Sequence, residues 1–346
     1  MPANTSAILS FGRYLPRYRI KTAEIARHWE QDPDSLKALG VTEKTVPGRD
    51  EDSFTLAFEA STQALERSGI KSTQISACFA GSESHVYAVK PTSGMLVAAL
   101  GLDPFSHCAD LEFACKAGTA AMQIVDSMIR VGQIEYGLAG GTDTAQAEPG
   151  DALEYTAAAG AAAILLGPVT SKKALCRIDH TLSFTTDTPD FWRAANEDYP
   201  RHAGRFTGEP GYFHHVREAL KGMLEIGKIE ANDIAHLVLH MPNGKFPLSV
   251  AKEFGFSKEQ LNHGFIIPKI GNTYSACSLL GLTEVLQHAT KDERILLVSY
   301  GSGAGADAFL MTMLRDGIAL PVDEREVEYL SYAEYQEHVR GVGRGV

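Results

Sequence analysis

The sequence predicts an α/β fold in which one design is used twice. Two observations carry this: apolar runs of strand character alternate with segments of helical period, and the order turn, helix, strand, strand in the first half returns in the second. A third sets the scale, since 346 residues with 44% hydrophobic content suffice for two core-forming units or one large α/β body.

In chain order, "SAILSFG" (6–12) and "ISACFAG" (75–81) read as strands. The next segment, "SESHVYAVKPTSG", puts Glu83 just past a strand's end. A loop glutamate is most often a solvated surface group, and only this position recommends it for chemistry.

In "DLEFACKAGTAAMQIVDSMIRVG" (110–132), Asp110 and Glu112 alternate with Leu111 and Phe113 as in a strand, and Met122, Ile124, Val125, Met128 and Ile129 follow a helical period. Cys115 therefore sits at a strand-to-helix turn. Packing alone accounts for most free cysteines. At such a turn, however, unpaired amides and the positive end of the helix dipole favour thiolate, which suits a nucleophile.

Two more strands, "YGLAGG" (136–141) and "AAAILLG" (161–167), close the first half, with a seam near residues 167–174. The expected division is 1–170, carrying Cys115, and 171–346, carrying His240, Asn272 and a C-terminal tail. Residues 187–213 are polar, rich in Pro and Gly, and carry Trp192 with several Phe and Tyr residues. This predicts a loop that helps wall a site.

The strand "LVLHM" (237–241) ends at His240, and Pro242, Asn243 and Gly244 then force a turn, so an imidazole is delivered at a strand's end. A core histidine satisfied by backbone is the plain alternative, and His236, at the strand's start, is read as structural. "GNTYSA" (271–276) leads into an expected helix over 274–289. Asn272 fits a capping side chain worth about 1 kcal/mol, and its place is read as mirroring that of Cys115. The strands "RILLVSYG" (294–301) and "DAFLMTML" (307–314) follow. Between them the glycine-rich "SYGSGAGADAF" lacks the features of a P-loop or dinucleotide fingerprint and reads as a tight turn whose amides could line an oxyanion site. The charged tail from Glu324 reads as a surface helix with a frayed end or a docking segment.

The 32 basic and 43 acidic residues give net charge −11 without a long acidic block, so no nucleic-acid partner is expected. Five cysteines, at 78, 108, 115, 176 and 277, show no metal spacing and no disulfide framework, which predicts a reducing, cytoplasmic setting and no metal. The start of the chain has no secretory pattern, and no apolar run reaches the roughly 18 residues of a membrane span, so neither secretion nor membrane insertion is expected.

Cysteine, histidine and asparagine in that order on a duplicated α/β chain resemble the thiolase superfamily. Within it, "LPRYRIK", "GVTEKTVPGRDED", "GSESHVYAVKPTSG", "FACKAGTAA", "DTPDFWR", "RFTGEPGYFHHV", "PNGKFP" and "IGNTYSACSLLGL" are similar to the compact archaeal hydroxymethylglutaryl-CoA synthases, across nearly the whole chain.

The resemblance implies a layered αβαβα thiolase fold and condensation of acetyl-CoA with acetoacetyl-CoA in the mevalonate route to isoprenoids, with CoA thioesters as substrates and no cofactor. It assigns the nucleophile to Cys115, the general acid/base to Glu83, the carbonyl-holding histidine to His240 with Asn272 beside it, and a CoA-phosphate contact to Lys245. Ser302 and Gly303 would help to stabilise the enolate. One departure is Met241, where archaeal members usually carry glutamine; Met cannot hydrogen-bond as an amide does. The resemblance further implies a homodimer, and a complex with an acetoacetyl-CoA thiolase and a small OB-fold bridging protein. The alternatives are a decarboxylating ketoacyl synthase III-like enzyme, which needs no carboxylate base, and a non-catalytic thiolase-like scaffold subunit.

Overall fold

The computed structural model describes residues 5–144 and 147–341. Nine strands form its main sheet: β1 (Ser6–Tyr14), β2 (Ile75–Gly81), β3 (His107–Leu111), β4 (Tyr136–Thr144), β5 (Ala159–Pro168), β6 (Cys176–Thr185), β7 (His236–Leu239), β8 (Arg294–Val298) and β9 (Gly305–Met313). They lie in the order β7-β8-β9-β6-β1-β5-β4-β2-β3.

Read outward from the middle, that order is β1-β5-β4-β2 on one side and β6-β9-β8-β7 on the other, the same connectivity twice, with β3 added at one edge. The pairings repeat too: antiparallel, antiparallel, then parallel on each side. The halves join through Ala7 and Ile8 of β1 against Arg177 and Cys176 of β6.

Six helices cover the strands: α1 (Ser53–Ser68), α2 (Thr92–Ala99), α3 (Ala117–Arg130), α4 (Phe213–Gly227), α5 (Phe246–Glu253) and α6 (Cys277–His288). Because side chains alternate across a strand, β5 sends Ala162, Ile164 and Leu166 to the cluster around α3 and α6. Its Ala161, Ala163 and Leu165 go to α1. In β9, Phe309, Met311 and Met313 face the same central helices while Ala306, Ala308 and Leu310 face α4. Helix, strand, helix, strand, helix is the layering that results. Full burial of each large aliphatic side chain contributes about 1.5–3 kcal/mol, and the central helices are buried from both sides.

α1 starts at a capping box, with the Asp52 carboxylate accepting from the Thr55 amide at 2.8 Å and the Asp52 amide donating to the Thr55 hydroxyl at 2.8 Å. α3 and α6 begin side by side. A Cβ added at Gly141 would lie 2.2 Å from the Ser275 carbonyl oxygen, so only glycine lets β4 approach the entry to α6 this closely.

The tail carries helix α7 (Tyr332–Gly341), packed through Tyr332 and Tyr335 on Ile20, Ile25 and Val46. The tail's last five residues lie outside the described residues. No helix among the described residues is long and apolar enough to cross a membrane.

Candidate active site

The backbone of the Cys115 turn is unusual for alanine. After β3, Ala114 takes φ 43°, in the left-handed region that non-glycine residues rarely occupy, and the 3-10 turn Ala114–Lys116 runs into α3. Cys115 is thereby turned into a buried pocket, where its Sγ donates to Glu83 Oε1 at 3.0 Å. Glu83 stands just past β2, and its amide donates to Asp143 Oδ1 at 2.8 Å.

Burial pushes the Glu83 carboxyl up to about 8, and Asp143 adds to the shift, while the Cys115 thiol and Arg193 oppose it. Burial, and then the neighbouring Glu83, hold the Cys115 thiol well above its ordinary value. This corrects the expectation of a thiolate at rest. Loss of water and an adjacent carboxyl outweigh the partial charge at one helix end.

Asp143, near the end of β4, was not singled out from the sequence. Fully buried, it accepts from the Ser82 hydroxyl, the Glu83 and Ser84 amides and the Ser84 hydroxyl on Oδ1, and from the Ser275 amide on Oδ2. One carboxylate thus ties the Glu83 loop to the entry of α6. Its place at a strand's end, like that of Glu83, was the available signal.

His240 follows β7 directly and is buried. Its amide donates to the Val298 carbonyl at 2.9 Å, and its own carbonyl accepts from the Tyr212 hydroxyl at 2.8 Å. Burial lowers the imidazole to about 3, so it is neutral at physiological pH and can act as a hydrogen-bonding group rather than a cation. Asn272 does not cap a helix as expected: the 3-10 turn Tyr274–Ala276 is entered at Thr273 and α6 at Ala276, neither with a side-chain cap, and the Asn272 Oδ1 instead accepts from the Tyr274 amide at 3.0 Å in a local turn. The expected mirror position is corrected too. The paired turns are Ala114–Lys116 and Tyr274–Ala276, so the counterpart of Cys115 is Ser275, three residues beyond Asn272.

No hydrogen bond links His240 or Asn272 to Cys115 or Glu83 among the described residues. Instead, aromatic residues bring the two sides together. Tyr274 packs with Cys115, and the Tyr300 ring lies 6.3 Å from that of His240. The turn that holds Ser302 and Gly303 packs on the turn carrying Cys115: a Cβ at Gly301 would lie 2.5 Å from the Phe113 carbonyl oxygen. Gly303 is a correction, since its amide donates to Asp190 Oδ1 at 2.8 Å and is not open to an oxyanion. Lys116, beside the nucleophile, is buried and pairs with the buried Asp307 of β9 at 2.9 Å, a link across the two sides that the sequence did not disclose.

Residues 187–213 do wall the site, though with more order than a plain loop, for Phe191–Trp192 and Arg201–His202 pair as a short hairpin. Asp190 is buried and accepts from the Tyr300 hydroxyl at 2.6 Å. Arg193 donates to the Glu83 carbonyl at 3.0 Å. Lys245, exposed at the head of α5, lines a cleft of about 500 Å³ with Asn243, Phe246, Leu39 and Tyr155. The segment 147–157 connects the two places: Ala152 and Tyr155 face the cleft, while Ala147 and Ala157 pack with Cys115. Among the described residues no group of three or more His, Cys, Asp or Glu side chains is placed to hold a metal ion.

Residues 224–313 match the family described as 3-oxoacyl-[acyl-carrier-protein (ACP)] synthase III C terminal. Over the whole chain, the hydroxymethylglutaryl-CoA synthase of Archaeoglobus fulgidus is 51% identical, covering 97% of this chain and 98% of its own length. That of Methanocaldococcus jannaschii is 49% identical, covering 97% and 99%. Among solved structures, an HMG-CoA synthase complexed with CoA superposes with TM-score 0.86 at 23% identity, covering 96% of this chain and 90% of its own. The 3-oxoacyl-(acyl carrier protein) synthase III of Pseudomonas aeruginosa superposes with TM-score 0.80 at 21% identity, covering 92% and 100%. At these identities the structural matches speak for the fold alone: thiolase-like halves in alternating layers.

Proposed function

The chain belongs to the hydroxymethylglutaryl-CoA synthase family, and from that premise we propose that it condenses acetyl-CoA with acetoacetyl-CoA through an acetyl-Cys115 intermediate. The observation that carries the site assignment is the buried contact of the Cys115 thiol with the Glu83 carboxyl at 3.0 Å.

In the first step Glu83 takes the thiol proton as sulfur attacks the acetyl carbonyl, and returns it to the departing CoA sulfur. A group poised at about 8 can do both near neutral pH. In the second step Glu83 removes a proton from the acetyl methyl. The enolate carbon then attacks the ketone of acetoacetyl-CoA, and the new alkoxide is stabilised by the neutral His240 imidazole and the Asn272 amide before it gains a proton. Water then cleaves the thioester to Cys115 and frees the product. The cleft beside Lys245 suits the CoA portion, with the lysine offering charge to its phosphates and segment 147–157 leading inward. Ser302 stays in this reading as a donor at the enolate; the Gly303 amide does not.

A homodimer is part of the reading. β3 is an edge strand, with Cys108 exposed and Phe105 94% exposed beside it, and both edge and patch call for cover. Association with an acetoacetyl-CoA thiolase and an OB-fold bridging protein, a cytoplasmic location and a role in mevalonate formation complete it. Failure of the three proteins to comigrate on co-expression would remove that complex.

Intact-mass spectrometry after brief exposure to acetyl-CoA, then to acetoacetyl-CoA, tests the mechanism. An acetyl adduct is expected on the wild type and absent from Cys115→Ala. On Glu83→Ala it is expected to form slowly and then resist discharge by acetoacetyl-CoA. An adduct that survives Cys115→Ala would sink the assignment, and discharge by a malonyl thioester alone would favour the decarboxylating alternative.

A further inference from the structure

His240 is oriented from its backbone rather than from its ring. The imidazole Nδ1 is buried without a hydrogen-bond partner among the described residues, and the rings of Tyr212 and Tyr300 lie 6.5 and 6.3 Å away between centroids. The main chain, by contrast, is held at successive groups. The Tyr212 hydroxyl donates to the His240 carbonyl at 2.8 Å. On the next residue the Met241 amide donates to Cys277 Sγ at 3.4 Å, and the Cys277 thiol donates to the Met241 carbonyl at 3.7 Å, so one sulfur closes on both polar groups of that residue's backbone.

The three residues concerned, Tyr212, Met241 and Cys277, are buried. The Met241 side chain turns away into an apolar cluster with Val41, Ile267 and Cys277. It therefore adds no polar contact near the imidazole, and the sulfur of Cys277 holds its backbone instead. Sulfur bonds are weak singly, but this one acts one residue from a ring with no polar side-chain anchor at Nδ1.

We propose that Tyr212 and Cys277 are positioning residues for His240, fixing the two peptides that aim its imidazole at the carbonyl of the second substrate. The proposal rests on the assignment of His240 to the acetoacetyl-CoA step. A neutral imidazole must meet that oxygen within hydrogen-bonding reach, and small errors of placement are costly. Losing the Tyr212 hydroxyl leaves a buried carbonyl unpaired and frees the His240–Met241 peptide to rotate.

The test uses Tyr212→Phe, Cys277→Ala and Cys277→Ser, with His240→Ala as reference, in three measurements: the rate of acetyl-Cys115 formation without second substrate, kcat and KM for acetoacetyl-CoA, and the thermal midpoint. Acetylation is expected to stay within about twofold of wild type. KM for acetoacetyl-CoA is expected to rise roughly three- to tenfold in Tyr212→Phe, and by less in Cys277→Ala, with partial recovery in Cys277→Ser. A fall of acetylation and condensation in step with the thermal midpoint would overturn the proposal, as would no change in either. If His240→Ala leaves KM and condensation untouched, the assignment of His240 itself falls, a result separable from a normal loss in His240→Ala with wild-type behaviour in the other three.

Discussion

In the turn Ala114–Lys116, a left-handed residue at φ 43° precedes Cys115; in the turn Tyr274–Ala276, one at φ 50° precedes Ser275. Each turn opens a helix, α3 or α6, and the two helices lie together in the central layer. Their side chains meet different fates. The Ser275 hydroxyl accepts from the Thr142 amide at 3.0 Å and donates toward the Gly81 carbonyl at 2.9 Å and that of Thr142 at 3.2 Å. Among the described residues Cys115 is left with one side-chain hydrogen bond, to the carboxyl of Glu83. The same elbow thus serves once as a brace and once as a reacting centre. What separates them is whether the surroundings leave the side chain free and give it a proton acceptor.

Exchanging the side chains gives the largest expected effect. Cys115→Ser is expected to lose acetyl transfer by at least about a thousandfold, the order expected when an activated nucleophile is removed, and the double exchange Cys115→Ser/Ser275→Cys is expected to carry no acetyl adduct by intact mass. An adduct restored by adding Ser275→Cys to Cys115→Ser would make the elbow, rather than its surroundings, the cause of reactivity. Next comes Glu83→Gln, in which condensation measured by CoA release should fall by roughly 10²–10⁴-fold. Smaller again is Ser275→Ala, expected to lower the unfolding free energy by about 1–3 kcal/mol in a denaturant titration, because it strips a buried amide and carbonyls of their partner.

A further effect concerns pH. Glu83 in the folded chain sits at about 8 against an ordinary 4.5, so the folded state holds its proton more tightly than the unfolded state. The resulting stability is complete below about 4.5 and is lost as pH rises through about 8. The thermal midpoint of Glu83→Gln relative to wild type should therefore rise between pH 5 and pH 9.

Much of this was legible in the sequence. Most strands and the positions of Cys115, His240 and Asn272 on turns followed from apolar runs ended by small or turn-forming residues, which are local signals, but β6, whose polar and charged residues interrupt any apolar run, did not. The register of the internal repeat was not, because Ser275 lies in an alanine- and serine-containing run without a distinctive residue, and Asn272 drew the eye. Asp143, Asp190 and the Lys116–Asp307 pair escaped for a different reason: their importance lies in contacts between residues up to 191 positions apart, and no local pattern encodes a partner. The state of Cys115 also escaped, since burial beside Glu83 depends on the assembled pocket.

The most direct test of the Cys115–Glu83 pair compares two reactions of the same sulfur in wild type and Glu83→Gln near pH 8.5. Alkylation by iodoacetamide needs only thiolate, whereas acetylation by acetyl-CoA also needs a group to move the proton. Because Glu83 raises the thiol's pKa, its removal should speed alkylation and slow acetylation. Both rates rising or both falling would contradict the account, for Glu83 would then act on the thiol through structure alone.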